Sequence, residues 1–209
     1  MQGHVIRIKI AIQRHKSIER VVEKINAYIR TNREMECLLK YLWSLTSRDP
    51  RCLKVYELLH KKNPQNILIL EYKSLACYTF DPKVSIDENI NMLTILHQTD
   101  KDYPSIRMCY NTIALQYEYL GQFYKAIAAY TLALSYFYPE SEKFIRPHHS
   151  LLEQRARLYL KLNKLSLAKQ DVALMLQNDS QNATFKILLK EIEKAQASKE
   201  EESISKQIR

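Results

Sequence analysis

The chain has 209 residues, 46% hydrophobic and 26% charged, enough apolar content for the core of one domain or one short repeat array. Its two glycines, Gly3 and Gly121, are too few for a set of sheets joined by tight hairpins, whose turns need backbone angles that other residues resist. The net charge of +9 is spread over the chain instead of gathered in a stripe or arm, which argues against a dedicated nucleic-acid binder.

Residues 1–16 form a basic segment without acids, and Ile6, Ile8, Ile10 and Ile12 alternate with the period of a strand that buries one face. A basic, acid-free start is also compatible with a mitochondrial presequence, although this stretch is poor in serine and lacks a clean helical stripe. It has no continuous apolar core of the secretory kind, and no apolar window in the chain is long enough for a membrane-spanning helix. From Ser17 the period changes: Ile18, Val21, Val22, Ile25, Tyr28 and Ile29 share one face of a helix.

Further helices are expected at 35–45, 51–62, 67–80, 86–98, 106–120, 124–138, 149–162, 165–177 and 183–197. Asp49-Pro50, Asn63-Pro64, Asp81-Pro82, Tyr103-Pro104, Gly121 and Pro139 are read as stops between them. The connections are short, so successive helices are antiparallel neighbours. The expected organisation is a basic segment at 1–16, a helical-repeat domain at 17–197 and a polar, fraying tail at 198–209. Cys37, Cys52, Cys77 and Cys109 sit in apolar stretches without a CxxC pair and read as buried thiols of a reducing compartment.

Residues 110–139 carry the most specific pattern. Tyr110, Ile113-Ala114, Tyr117, Gly121, Ala126, Tyr130, Ala133 and Pro139 stand at the places of a tetratricopeptide repeat, and the segment resembles that family. Small Ala114 and Ala126 suit a close crossing of two helices, Tyr117 and Tyr130 fill the space towards a neighbouring hairpin, and Gly121 leaves the first helix in a left-handed conformation. Leu152, Ala156, Tyr159, Ala168 and Val172 repeat the pattern, with Arg155 in place of the usual leucine and Asn163 in place of the turn glycine. Leu39, Trp43, Cys52 and Tyr56 fit an earlier, weaker hairpin starting near Arg33, and another begins near Ile67. The longer gaps between later starts place insertions at 81–85 with 100–103, and at 140–146.

The resemblance implies an all-α fold, an α-α superhelix of helical hairpins with a C-terminal capping helix. It also implies a protein-interaction scaffold or adaptor that binds a partner peptide or helix in a groove lined by the first helix of each hairpin, and so contributes to assembly of a multiprotein complex. The groove positions would be Tyr72, Tyr78, Met108, Asn111, Leu115, Tyr119, Arg157 and Lys161, with Tyr41 beside them. Tyrosine supplies rigid contact area and a hydroxyl, which suits such a surface. The expected setting is intracellular, cytoplasmic or nuclear, without a cofactor or membrane, and with self-association open.

Two alternatives remain. One is a basic subunit of a transcription or RNA-processing assembly, in which Lys143, Arg146, His148, His149, Arg155, Arg157, Lys161 and Lys164 would contact phosphates. The other is an atypical co-chaperone. The two-carboxylate clamp of that class is missing, since Asn111, Leu115, Gln154, Thr184 and Leu188 hold its places. An enzyme is not expected: no HExxH, phosphate loop, nucleophile elbow or paired zinc cysteines occur, and His148-His149 reads as part of a solvated loop.

Overall fold

The computed structural model describes residues 18–20, 22–23, 31–46, 53–78, 80–99, 103–136 and 145–207. The described residues form helices and turns, in two compact units, Met1–Asp102 and Tyr103–Arg209. The alternating isoleucines of 6–12 lie outside the described residues, as do Cys52 and most of 17–29. Val22 is buried and Ile18 packs against the core of the first unit, as the helical spacing requires.

The first unit contains α1 (Asn32–Thr46), α2 (Leu53–Lys62), α3 (Ile67–Cys77) and α4 (Pro82–Thr99). α1 opens with a capping box: the Thr31 hydroxyl accepts from Glu34 N–H and the Glu34 carboxylate accepts from Thr31 N–H, both at 3.2 Å. Leu39, Leu42, Val55, Tyr56, Leu59 and Ile69 are fully buried, and the Tyr56 hydroxyl donates to the Leu39 carbonyl at 3.2 Å, tying α2 to α1. α3 packs against α1, α2 and α4. Where α3 and α4 cross, the small residues are serines. Ser74 and Ser85 hydroxyls lie 3.0 Å apart, and Asn89 donates to Ser74 and to the Ser85 carbonyl, so this buried polar cluster is internally bonded. Trp43, placed by the repeat pattern, is exposed.

The second unit contains α5 (Tyr103–Tyr119), α6 (Phe123–Ser135), α7 (Ile145–Lys161), α8 (Leu165–Asn178) and α9 (Ala183–Gln207). α5 pairs with α6 and α7 with α8, while α6 also packs on α7 and α8 on α9. Ala114, Ala126, Ala156 and Ala168 have no exposed surface, so backbones approach at both crossings. The turns match as well. Gly121 has φ +70 and Asn163 φ +57. Gln122 N–H donates to Tyr117 O at 2.8 Å and Gly121 N–H to Glu118 O at 2.9 Å; Lys164 and Asn163 N–H repeat this on Tyr159 O and Leu160 O at 2.8 and 3.0 Å. This double bond pattern satisfies the last carbonyls of α5 and α7 and requires a left-handed residue after each helix.

Three boundaries differ from the sequence reading for one reason. Pro82, Pro104 and Pro147, read as stops or loop residues, lie in the first turns of α4, α5 and α7. The first N–H groups of a helix have no partner within it, so a proline there costs no hydrogen bond. Asp81 caps α4, its carboxylate accepting from Lys83 and Val84 N–H at 3.2 Å. Residues 82–85 are therefore helix, not an insertion, and α7 starts four residues before the expected His149. The tail also differs: α9 continues from the expected end at 197 to Gln207.

Candidate functional site

On α5, Met108, Asn111, Leu115 and Tyr119 follow one another at three- and four-residue steps and so share a face. Tyr119 is 77% exposed and Met108 46%, with Asn111 and Leu115 half-buried between them. A Tyr ring left this open at a helix end has most of its contact area unused. On α7, Glu153, Arg157 and Lys161 form a second row at four-residue steps. The Glu153 carboxylate accepts from Arg157 Nε at 3.1 Å and Nη2 at 2.8 Å, which orients the guanidinium. Lys161 Nζ stands 4.1 Å from the centre of the Phe123 ring, so α7 reaches the turn that follows Tyr119. The six positions expected on this unit therefore fall into two rows, Met108, Asn111, Leu115 and Tyr119 on α5 and the charged Arg157 and Lys161 on α7.

Supporting contacts hold the rows in place. Tyr130 is fully buried and its hydroxyl donates to the Glu118 carboxylate at 3.3 Å; Tyr110 stacks on Tyr136 with ring centres 5.7 Å apart, closing the open end of the hairpin. Tyr117 stays half-buried beneath Lys125, whose Nζ lies 5.4 Å from its ring centre.

Tyr72 and Tyr78 belong to the first unit. Tyr72 is not an outward position: it is buried with Leu39, Leu42 and Ile69, because α3 packs against both α1 and α2 and turns that face inward. Tyr78, just after α3, and Tyr41, on α1, are half-buried. Cys37 is exposed, contrary to the expectation of four buried thiols, whereas Cys77 and Cys109 are buried and desolvation pushes the Cys77 thiol up to about 11.

The phosphate-contacting cluster expected from the sequence does not survive as a set. Arg155 donates from Nε and Nη2 to the two carboxylate oxygens of Asp171 at 2.9 and 2.6 Å, and from Nη1 to the Thr131 hydroxyl at 2.9 Å. Asp171 is buried, so this guanidinium is a core cross-link between α7, α8 and α6. Burial opposes the charge of Arg155, but the hydrogen bonds and charge of Asp171 prevail and raise its pKa. The signal for the pair was an arginine at a leucine place and an acid at an inward place of the next helix. His149 is buried in α7, its ring 5.3 Å edge-on to Phe185, and His148 is half-buried beside it, so the pair is not a solvated loop. Burial lowers the pKa of both, with the neighbouring His149, Arg155 and Arg107 adding to the effect on His148 and Asp171 opposing it, while Asp179 opposes it at His149. Lys143 and the side chain of Arg146 lie outside the described residues. Among the described residues no three His, Cys, Asp or Glu gather as a metal site, and no helix is long and apolar enough to cross a membrane.

Ala114 and Ala156, Gly121 and Asn163, and Ala126 and Ala168 are each 42 residues apart, and each pair repeats the same burial or backbone turn. The second unit is therefore two helical hairpins repeated at 42 residues and followed by a further helix. No protein-family model matches the chain, and no curated protein matches it. Among solved structures, it is similar to a thermophilic TPR protein of Thermus thermophilus, at 17% identity over 92% of this chain and 98% of that one, with a TM-score of 0.46.

Proposed function

We propose that this chain is a non-catalytic interaction scaffold that holds a peptide or helix of a partner protein on the first helices of its second unit, within a larger assembly. Tyr119 and Met108 supply apolar contact, Leu115 a floor, Asn111 a hydrogen-bonding amide, and Arg157 and Lys161 a charged end. The observation that carries this reading is the exposure of Tyr119 on the same helical row as exposed Met108. Aromatic side chains with an apolar body and a polar tip are enriched where proteins meet. Arg157 and Lys161 lie at the rim, where they set orientation and on-rate more than affinity.

The test is a comparison of partners recovered with the natural chain and with a Leu115→Ala/Tyr119→Ala variant, identified by mass spectrometry and checked with the purified partner. The expected result is loss of at least one direct partner, by about tenfold or more in Kd, without a change in thermal midpoint. Retention of every partner at unchanged affinity would exclude this face.

A further inference from the structure

α9 is anchored through its first turns alone. Phe185, Leu188 and Ile192 are buried in one core with Leu152, Val172 and Met175, whereas Gln196 to Glu201 are all exposed. An element with so few buried apolar contacts opens at lower cost than the core beside it. At its docked end α9 meets His149 of α7, whose ring lies 5.3 Å edge-on to that of Phe185. His149 is 8% exposed, and its buried Nε2 has no hydrogen-bond partner among the described residues. A neutral imidazole fits this place as a small aromatic ring. An imidazolium brings a second N–H and a charge, and a buried charge without an acceptor is costly.

The neighbouring charges are already engaged. From the turn between α8 and α9, the Asp179 carboxylate favours the charged ring, but it accepts from Asn182 Nδ2 at 3.0 Å. Asn182 in turn caps α9, its Oδ1 accepting from Thr184 and Phe185 N–H at 3.1 and 3.3 Å. In the first turn of α9, Lys186 donates to the Gln181 side chain at 2.9 Å. On α7, His148 stands beside His149 with ring centres 6.4 Å apart, under the charges of Arg107 and Arg155, and Asp171 of α8 is bound to Arg155. Phe185 is thus held twice, at its ring by His149 and at its N–H by Asn182. A charged His149 competes with Asn182 for Asp179, so one proton disturbs both holds. We propose that His149 is an acid-sensitive latch on α9: the neutral ring keeps the first turns of α9 docked, and protonation frees them while the two hairpins stay folded. Burial holds the docked ring below the ordinary imidazole value, so the open form binds the proton first and opening grows as pH falls below about 6.5. Release uncovers Leu152, Val172 and Met175, the apolar side chains with which α9 shares its core. The latch lies apart from the Tyr119 face and does not rest on the groove reading.

The experiment uses the full chain and amide hydrogen exchange read by mass spectrometry at about pH 7.5 and about pH 5.5, corrected for the intrinsic pH dependence of exchange. The expected result is that protection of 183–195 falls several-fold, with about tenfold as the limit that one proton sets over this window, while protection of α5 and α6 is unchanged. His149→Phe keeps a ring against Phe185 and His149→Gln a neutral polar group. Neither can be protonated here, and both are expected to lose the acid response whatever their protection at the higher pH. His148→Gln is expected to keep it, and circular dichroism verifies that each variant is folded. The proposal is overturned if 183–195 is equally protected at both pH values, or if α5 and α6 loosen along with it. It is equally overturned if the folded His149 variants still respond, or if His148→Gln abolishes the response.

Discussion

Asp171→Ala is the most informative single change. It removes both carboxylate oxygens from a guanidinium whose side chain is 15% exposed, and the carboxylate it deletes is 4% exposed. The Thr131 hydroxyl and the Tyr159 ring, whose centre lies 5.8 Å from the guanidinium carbon, then remain beside it. Breaking a buried pair from one side costs ~3–5 kcal/mol, because the remaining charge is left uncompensated. The residual exposure of Arg155 and its bond to Thr131 place the expected loss near the lower end, ~3 kcal/mol, or a fall of about 6–12 °C in thermal midpoint for a chain of this size. Arg155→Leu, which restores the leucine of the repeat pattern, strands Asp171 instead and costs a similar amount. The double variant Arg155→Leu/Asp171→Ala leaves neither charge of the pair and returns to within ~1 kcal/mol of the natural chain. Urea unfolding followed by far-ultraviolet circular dichroism measures all four proteins. Single losses below ~1 kcal/mol, the size found for exposed pairs, or a double loss equal to the sum of the singles, would show that the pair is solvated and refute the cross-link.

Three further outcomes follow from other sites. Gly121→Ala meets no atom within 4 Å of the added carbon, so its cost comes from φ +70 alone and is ~1–2 kcal/mol, whereas Asn163→Gly at φ +57 is tolerated; equal effects of the two changes on the thermal midpoint would contradict the paired left-handed turns. His148 and His149 have folded pKa values below the ordinary 6.5, so the unfolded chain binds more protons; their contribution is intact above about pH 6.5 and is lost as pH falls through that value towards the folded pKa. Midpoints measured from pH ~7 down to ~5 are expected to decline, and less steeply in His149→Leu; an identical slope in the variant would assign the decline to other groups. With Cys77 pushed up to about 11 and buried, iodoacetamide at neutral pH is expected to label Cys37 before Cys77 or Cys109, and peptide mass spectrometry reads the order. Early labelling of Cys77 would show that α3 opens readily.

Much of the second unit was legible because its pattern is local. Ala114, Ala126, Ala156 and Ala168 mark crossings that tolerate no larger side chain, and Gly121 and Asn163 mark turns that few residues tolerate, so residue identity reports geometry directly. The prolines were misread because a proline after a helix and a proline in the first turn of the next one look alike in a string; the Asp81 cap on α4 shows which applies. The capping box of Thr31 and Glu34 is equally local but was missed, so the helix expected from 35 starts instead at Asn32. Of the groove positions, Met108 and Tyr119 lie open as their spacing suggests, but Tyr72 does not, since its burial depends on α1 and α2 packing over α3.

In the second unit the sequence by itself determined the helices, their pairing into hairpins and the sites of close crossing, since these follow from periodicity, side-chain size and turn chemistry within some forty residues. Tertiary structure alone decided what the charged residues do. Arg155 lies far along the chain from Thr131 and Asp171, and only the packing of α6, α7 and α8 brings the three together and withdraws water from them. The same packing buries His149 against Phe185 and leaves Tyr119 open, because exposure belongs to neighbours in space and not to neighbours in the chain.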